Sequence, residues 1–228
     1  MWLLDRLFEQ KPKSLPVPVA PTRQFCIALF ESKIHATIKN LGDMIGWEDD
    51  HNTVGPIAAV AKKSLLSLIP YIMPQESAEK PTLYRLVLEH GDFGIHKMSI
   101  TEDDYRVTSL FDWETGSIMP AILSDPLMAV EVDLVTDENA APSIIRVSKN
   151  ATPGERVNYK KWASQYIEML YEKAPEYKTA IQAGRDIRHL GFALRDWRGD
   201  DPEGYFGALG NWAENRLREL TVARNLPQ

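Results

Sequence analysis

The sequence predicts a mostly helical α+β fold with a small β-hairpin near the centre of the chain. Two observations support this expectation. Apolar residues recur at steps of three and four over long stretches at both ends of the chain, which is typical of helices that bury one face. Between these stretches, short runs rich in β-branched residues flank an acidic turn at residues 102–104, as they do in a hairpin.

The N-terminal segment is expected to lie outside the main domain. Residues 1–10 predict a short amphipathic helix, whose apolar side chains are Trp2, Leu3, Leu7 and Phe8. Residues 11–22 contain four prolines and predict an extended connector, because each proline removes a helical hydrogen-bond donor. We therefore divide the chain into an N-terminal helix and proline-rich connector at residues 1–22 and one domain at residues 23–228.

Two helices are expected to open this domain. The first carries apolar residues from Ile27 to Ile45 and is expected to extend for about 20 residues. The second begins near Pro56, which suits a first helical turn, and ends at Pro70. Its expected buried face consists of Ile57, Val60, Ala61, Leu65 and Leu68.

The second half of the chain mixes strands and helices. The run YRLVLEH at residues 84–90 predicts a short buried strand, and the hairpin follows it. The run LMAVEVDLV at residues 127–135 has the propensity of a strand. Three helices complete the chain. The second of them extends from Ile181 to Trp197, and residues 195–207 are expected to form a solvated loop before the third.

Composition narrows the classes of function. The 228 residues suffice for one large or two small domains, and 44% of them are hydrophobic, which is enough for a core. A net charge of −6 argues against nucleic acid and against an anionic membrane as partners. Cys26 is the only cysteine, so no disulfide forms within the chain. The lack of an internal disulfide fits a reducing compartment, and no run is long and apolar enough to span a bilayer, so we expect a cytoplasmic protein.

The most informative pattern combines two aspartates. Asp92 follows a predicted strand in the run HGD, and Asp112 follows the predicted hairpin in the run FDWE. A hairpin brings the loop before its first strand close to the residue after its second strand. Two carboxylates that meet there are typical of a divalent-cation site or of acid/base chemistry.

The stretch LEHGDFGIHKMSI, followed by VTSLFDWETG, resembles the catalytic segment of the aminoglycoside phosphotransferase family, and of its fungal members in particular. These small-molecule kinases share the protein-kinase fold, so the resemblance implies a kinase-like C-terminal lobe. By this resemblance Asp92 corresponds to the base that accepts the proton of the substrate hydroxyl. Asp112 corresponds to the ligand of the metal that bridges the phosphates, and His90 to the histidine that braces the loop.

One position departs from the family pattern. The family has a magnesium-binding asparagine five residues after the loop aspartate, and this chain has Lys97 there. An ammonium group only donates hydrogen bonds and cannot bind a metal, but it can neutralise both aspartates. We therefore expect Lys97 to lie within ion-pair distance of Asp92 or Asp112, and we expect a site that holds no metal and no cofactor.

The nucleotide-binding lobe of these kinases has no counterpart in the sequence pattern. The glycines before His90 form no G-x-G-x-x-G loop, and Lys33, Lys39, Lys62 and Lys63 are expected on polar helix faces, so we expect a C-terminal lobe alone. A lobe of this kind exposes an apolar face, which either residues 1–10 or a second copy of the chain would cover. We expect the second copy, and hence a homodimer.

Three functions remain open. The first is metal-free acid/base chemistry, such as cyclisation or isomerisation of a small metabolite in secondary metabolism, with Asp92, Lys97, Asp112 and His96 as catalytic residues. The second is a non-catalytic pseudokinase that binds or scaffolds, and the third is a phosphotransferase that needs a partner lobe. The residues expected to bind the small-molecule ligand are His90, Trp113, Glu114, Trp197, Tyr205 and Phe206.

Overall fold

The computed structural model describes residues 18–38, 52–77, 82–124, 132–137, 139–147, 149–195 and 201–225. Within these residues the chain forms six α-helices and three antiparallel two-stranded sheets, which confirms the predicted α+β class. The chain divides into two compact units. One extends from Glu76 to Arg185, and the other combines the described residues up to Gln75 with those from Asp186 onward. The domain boundaries expected from the sequence stay predictions.

The helical unit contains four helices, and their bounds are Arg23–Thr37 for α1, Val54–Ile72 for α2, Arg185–Arg195 for α5 and Pro202–Asn225 for α6. Helices α2 and α6 pack against each other. The absence of a side chain at Gly210 permits this approach, because a Cβ there would lie 3.1 Å from the Cα of Ala61. Apolar residues from all four helices fill the core, among them Phe25, Leu29, Ile34, Leu65, Leu68, Ile187, Leu190 and Phe206.

The first two helices differ from the predictions at their ends. Helix α1 has 15 residues and ends at Thr37, so it is shorter than expected, and Leu41 and Ile45 lie outside the described residues. Helix α2 does not end at Pro70 but continues to Ile72, where the N–H of Met73 bonds to the carbonyl of Ile69 at 3.2 Å. Proline lacks only its own N–H group, so the last turn can still close.

The buried face of α2 is also rotated from the prediction. Val60 is exposed and Ile57 is half-buried, although both belong to the three-and-four pattern. The residues that are buried are Val54, Gly55, Ala58, Ala61, Leu65, Leu68, Ile69 and Ile72. Small residues occupy the central turn of this face because α6 approaches it closely at Gly210.

The single helix expected between Ile181 and Trp197 is two helices. Helix α4, Pro175–Ala183, ends at Gly184, and α5 begins directly after it. A Cβ at Gly184 would overlap the carbonyl oxygen of Ile122, so the glycine permits a close backbone contact that a continuous pattern does not reveal. Trp197 lies outside the described residues. The loop expected at residues 195–207 is shorter than predicted, because α6 already begins at Pro202.

The β-containing unit holds the three sheets and the helices α3, Pro153–Lys173, and α4. The predicted hairpin is confirmed as the second of these sheets. The pairs are β1, Leu86–Glu89, with β4, Ser117–Pro120; β2, Met98–Ile100, with β3, Val107–Leu110; and β5, Val132–Thr136, with β6, Pro142–Val147. Strand β5 overlaps the end of the expected run 127–135, of which residues 127–131 are not described, and extends one residue beyond it, whereas β4 and β6 were not anticipated.

Strand β1 is less buried than expected. Leu88 is exposed, and so is Ile118, its direct partner on β4. The opposite side of this pair of strands carries the buried residues Glu89, Ser117 and Met119. Strand β1 therefore has one buried and one open side, and the unbroken apolar run could not indicate this because β4 was unknown.

Helix α3 begins with a reciprocal cap. The hydroxyl of Thr152 accepts the N–H of Glu155 at 3.3 Å, and the Glu155 carboxylate accepts the N–H of Thr152 at 2.6 Å. The hydrogen bonds from the Thr152 backbone and then from its hydroxyl lower the pKa of Glu155. Across the described residues, no helix combines the length and the apolar character that crossing a bilayer requires.

Candidate functional site

Gly91 sets the position of the loop that carries Asp92. Its φ of +89° is a conformation that side chains disfavour, and a Cβ there would overlap the backbone carbonyl of Thr115. The Thr115 hydroxyl donates a hydrogen bond to the carbonyl of His90 at 3.2 Å. The loop after β1 and the short 3-10 helix Trp113–Thr115 are therefore held against each other.

Asp112 lies at the end of the hairpin in a left-handed conformation, with φ 66° and ψ 53°. Such a conformation costs about 1–2 kcal/mol for most residues, and aspartate is one of the few that tolerate it. The residue immediately precedes the 3-10 helix Trp113–Thr115. The indole Nε1 of Trp113 donates to the carbonyl of Leu110 at 3.0 Å, which fixes the turn between strand β3 and this helix.

His90 braces the residue before Asp112. Its Nε2 lies 2.8 Å from the carbonyl oxygen of Phe111, and because a carbonyl only accepts, Nε2 carries the proton. The imidazole packs against Trp113 with ring centroids 4.6 Å apart, and against Phe93 at 5.7 Å. Its Nδ1 is buried without a hydrogen-bond partner among the described residues. The role of the ring is to hold the backbone that presents Asp112.

Lys97 joins the two aspartates. Its Nζ lies 3.4 Å from Oδ2 of Asp92 and also forms an ion pair with Oδ2 of Asp112. The short 3-10 helix Ile95–Lys97 aims this side chain, and the Lys97 N–H bonds to the carbonyl of Gly94 at 2.9 Å. The prediction that Lys97 lies within ion-pair distance of Asp92 or Asp112 is therefore confirmed, and the structure shows that it pairs with both. We call Asp92, Lys97 and Asp112 the Lys97 triad.

The members of the Lys97 triad differ in their access to solvent. The side chain of Lys97 is 13% exposed and that of Asp112 is 31% exposed, whereas that of Asp92 is 64% exposed. The ammonium group is thus largely covered, and Asp92 keeps oxygen lone pairs open to a ligand. One covered cation between two carboxylates leaves the triad with a net negative charge.

The structure brings together five of the predicted site residues: His90, Asp92, Lys97, Asp112 and Trp113. His96 and Glu114 are exposed, and neither forms a hydrogen bond or an ion pair within the described part of the chain. Their predicted roles stay predictions.

Tyr205 and Phe206 belong to the helical unit. The Tyr205 hydroxyl donates to the carbonyl of Ala193 at 2.7 Å, and Phe206 is buried. Each side chain therefore has a structural use in its own unit. Their predicted contact with a ligand, like that of the undescribed Trp197, stays a prediction.

Several residues of the site were not anticipated from the sequence. Gly91 and Thr115 tie the two loops, and Phe93 and Phe111 contact His90. The glycine of the run HGD was a usable signal, because a glycine between two functional residues often marks a positive φ. Nothing in the sequence indicated the hydrogen bond of Thr115, which depends on the pairing of β1 with β4.

No described group of three or more His, Cys, Asp or Glu side chains is arranged to hold a metal ion. Comparison with known proteins finds no family model, no curated protein and no solved structure that matches the chain. The family resemblance therefore stays a prediction. The chemistry of the site must be argued from the triad and from the groups that position it.

Proposed function

We propose that the chain is a kinase-like C-terminal lobe of the aminoglycoside phosphotransferase type, whose site performs metal-free acid/base chemistry on a small metabolite. The observation that carries this proposal is the ion pairing of Lys97 with both Asp92 and Asp112. In the family pattern, position 97 and Asp112 both contribute to metal binding. Here one ammonium group pairs with both carboxylates and offsets one of their two negative charges, and an ammonium group has no lone pair for a metal.

The proposed roles follow from the exposure of each group. Asp92, the most exposed member of the triad, accepts a proton from the substrate. Lys97 lies beside it and stabilises the negative charge that develops when an enolisable carbonyl loses its α-proton. Asp112 keeps the ammonium group in place, and His90 keeps Asp112 in place through the carbonyl of Phe111.

Proton exchange in D2O tests this chemistry without knowledge of the natural substrate. The chain would be incubated with a panel of ketones and 1,3-dicarbonyl compounds, and loss of the α-proton signals would be followed by NMR. We expect exchange at a rate that Asp92→Asn lowers by about 100-fold or more, since general base catalysis contributes on that order. EDTA should leave the rate unchanged.

Lys160→Met is the matched control for Lys97→Met. Lys160 is an exposed lysine of α3, so its replacement removes the same charge without touching the triad. Lys97→Met should slow exchange and Lys160→Met should not. Equal rates for both variants and the unchanged chain would contradict the proposed role of Lys97.

A titration with ATP and Mg²⁺ separates this proposal from phosphoryl transfer. A dissociation constant tighter than about 100 μM, within the range of substrate affinities of enzymes, would overturn the metal-free assignment. It would favour a phosphotransferase that obtains its nucleotide lobe from a partner.

The second candidate is a non-catalytic protein that binds a small molecule. The low exposure of Lys97 favours it, because an ammonium group held by two carboxylates has little freedom to transfer a proton. The same NMR experiment distinguishes the two candidates. Line broadening of a ligand that Asp92→Asn abolishes, without any exchange of its α-protons, would assign binding rather than catalysis.

A further inference from the structure

The β2–β3 hairpin has one side that is apolar except for Thr108, the extra residue at the register shift of β3. Met98 lies opposite Leu110, and Ile100 lies opposite Val107, so the side chains of each pair point to the same side of the sheet. Met98 and Ile100 are two residues apart on one strand and also share a side. We call these four residues the hairpin face. Ser99 and Ser109, which pair with each other, lie on the other side.

The hairpin face is open to solvent. Ile100 is 51% exposed, Val107 is 49% exposed and Leu110 is 39% exposed, while Met98 is half-buried. A two-stranded sheet is at best marginally stable in water unless an apolar side packs against another element. No described element covers the face, so a further occupant would stabilise the hairpin.

The surroundings of the face are strongly acidic. Residues 92–115 contain six acidic and two basic residues, which gives this stretch a net charge of −4 out of the −6 of the whole chain. Residues 102–104 form an exposed acidic turn at one end of the hairpin, and Asp92 and Glu114 are exposed near the other end. The Thr101 hydroxyl, followed by the backbone of Arg106, lowers the pKa of Asp104, so this carboxylate stays charged.

Charge and strand geometry exclude several occupants of the face. Two copies packed face to face would bring two stretches of charge −4 together, and an anionic membrane would be repelled in the same way. Addition of a strand along the hairpin edge is disfavoured, because β2 and β3 have only three and four residues and their register shifts between Ser99 and Ile100. An apolar surface between acidic ends instead suits a helix with an apolar stripe and basic flanks.

We propose that the hairpin face is the docking surface for an amphipathic helix of a partner protein, in which basic residues border the apolar stripe. The apolar stripe packs on Ile100, Val107 and Leu110, and the basic residues pair with the acidic turn. This surface is separate from the acid/base chemistry proposed for the Lys97 triad. The homodimer expected from the sequence would need a different surface.

The probe for this proposal is a fluorescent peptide of about 18 residues, built from leucine and lysine with the leucines at helical spacing. Its binding to the full chain would be measured by fluorescence anisotropy at low and high salt. We expect binding in the micromolar range that weakens about tenfold in high salt, because the acidic groups are exposed and are screened. A matched peptide with glutamate in place of lysine should not bind.

Variants locate the binding on the hairpin. The double substitution Ile100→Ser and Leu110→Ser should weaken binding by about tenfold or more, and so should the pair Glu102→Lys and Asp103→Lys. Val60→Ser is the matched control, because Val60 is a similarly exposed valine on α2. Protection of the hairpin amides in hydrogen–deuterium exchange, upon addition of the peptide to the unchanged chain, provides a readout that needs no variant.

Three results would overturn the proposal: no binding of the lysine peptide at about 1 mM, equal binding of the glutamate peptide, or binding that Val60→Ser weakens as much as the hairpin variants do. A fourth is displacement of the probe by a synthetic peptide of residues 1–10. That result would assign the face to the N-terminal segment of the chain itself.

Discussion

Two clusters in this protein contain the same charged groups, a single cation between two carboxylates. In the Lys97 triad the cation pairs with Asp92 and Asp112. In the helical unit, Nε and Nη2 of Arg216 each lie 2.8 Å from Oδ2 of Asp186, and Nη1 lies 2.7 Å from Oε2 of Glu219. We call the second cluster the Arg216 triad. Each contains one carboxylate that is about 63–64% exposed and one that is more covered.

The two triads differ in the backbone that presents them. Arg216 and Glu219 lie three residues apart on α6, and Asp186 lies in the first turn of α5, so regular helices supply the geometry. The Lys97 triad depends instead on a glycine with φ +89° and on an aspartate in a left-handed conformation. Glycine adopts a positive φ without strain, whereas the left-handed conformation of Asp112 is uncommon for a residue with a side chain, and such residues cluster at functional sites. The comparison favours a structural role for the Arg216 triad and a functional role for the Lys97 triad.

The largest expected effect on stability comes from a change at Gly91, which positions the loop that carries Asp92. Gly91→Ala should lower the free energy of unfolding by about 3 kcal/mol or more, because the new Cβ is strained at this φ and overlaps the carbonyl of Thr115. Urea denaturation measures the change. Gly154→Ala is the control, since no atom lies within 4 Å of a Cβ there. Gly154→Ala should be neutral or slightly stabilising. An equal loss of unfolding free energy in both variants would mean that the backbone at Gly91 is not specially constrained, and the contrast between the two triads would no longer hold.

Arg216→Met should have the next largest effect on stability. It leaves the partly covered carboxylate of Asp186 without its hydrogen bond from Nε and without its ion pair with the guanidinium, at a cost of about 2 kcal/mol. The midpoint of thermal unfolding should fall, and Mg²⁺ should not restore it, because the two carboxylates lie on different helices and are arranged for a guanidinium. Recovery of the midpoint in Mg²⁺ would show that the Arg216 triad is also a latent metal site.

Lys97→Asn should destabilise the chain by only about 1 kcal/mol, because two of the three side chains in its triad are partly or largely exposed. This variant introduces the residue of the family pattern and removes the competing ammonium group. About 10 mM Mg²⁺ should then recover about 1 kcal/mol, as expected for a dissociation constant near 2 mM. The measurement is the midpoint of thermal unfolding with and without the metal. An unchanged midpoint in Mg²⁺ would count against the idea that Lys97 replaces a metal.

The smallest expected change in stability comes from the exposed carboxylates. Asp92→Asn and Glu219→Gln remove one charge each from the two triads, and each should alter the free energy of unfolding by less than about 0.5 kcal/mol. Their functional effects should differ, because only Asp92→Asn should abolish the α-proton exchange proposed above. The pair is therefore matched in exposure and in stability. Loss of exchange in both variants would mean that the distinction between a structural and a functional triad is wrong.

The helices were predictable from the sequence wherever one face packs uniformly. The existence of α1 and α6 follows from their apolar spacing, although α1 is buried around its first turns and ends earlier than expected, whereas the boundary at Gly184 depends on the backbone of Ile122, which is distant in sequence. Strand β4 escaped prediction for the same reason. Residues 117–120 form a strand by pairing with β1, and the residues next to them in the sequence do not indicate that partner.

Part of the candidate site was also predictable. The family resemblance, which places Lys97 at the position of a metal-binding asparagine, predicted that Lys97 lies near Asp92 or Asp112, and the structure shows ion pairs with both. The resemblance also implied that His90 braces the loop, but the sequence could not identify its acceptor, because the carbonyl of Phe111 is a backbone group. The side of the hairpin that carries the apolar residues likewise could not be predicted, because it depends on the register of β2 with β3, including its shift after Ser99.

The pairing of β1 with β4 closes the chain between them into a long loop. Residues 90–116 leave the sheet at Glu89 and return at Ser117, and these two residues are direct partners. The hydrogen bond from the Thr115 hydroxyl to the carbonyl of His90 joins the two ends of this loop again, just beyond the strands. Because the cost of closing a flexible loop grows by only about 0.6 kcal/mol for each doubling of its length, the far end of the hairpin can gain or lose residues cheaply. The two ends, where Asp92 and Asp112 lie, would stay in register. The far end of the hairpin, which we propose as part of a docking surface, can therefore change in length and sequence while the positions of Asp92 and Asp112 are kept.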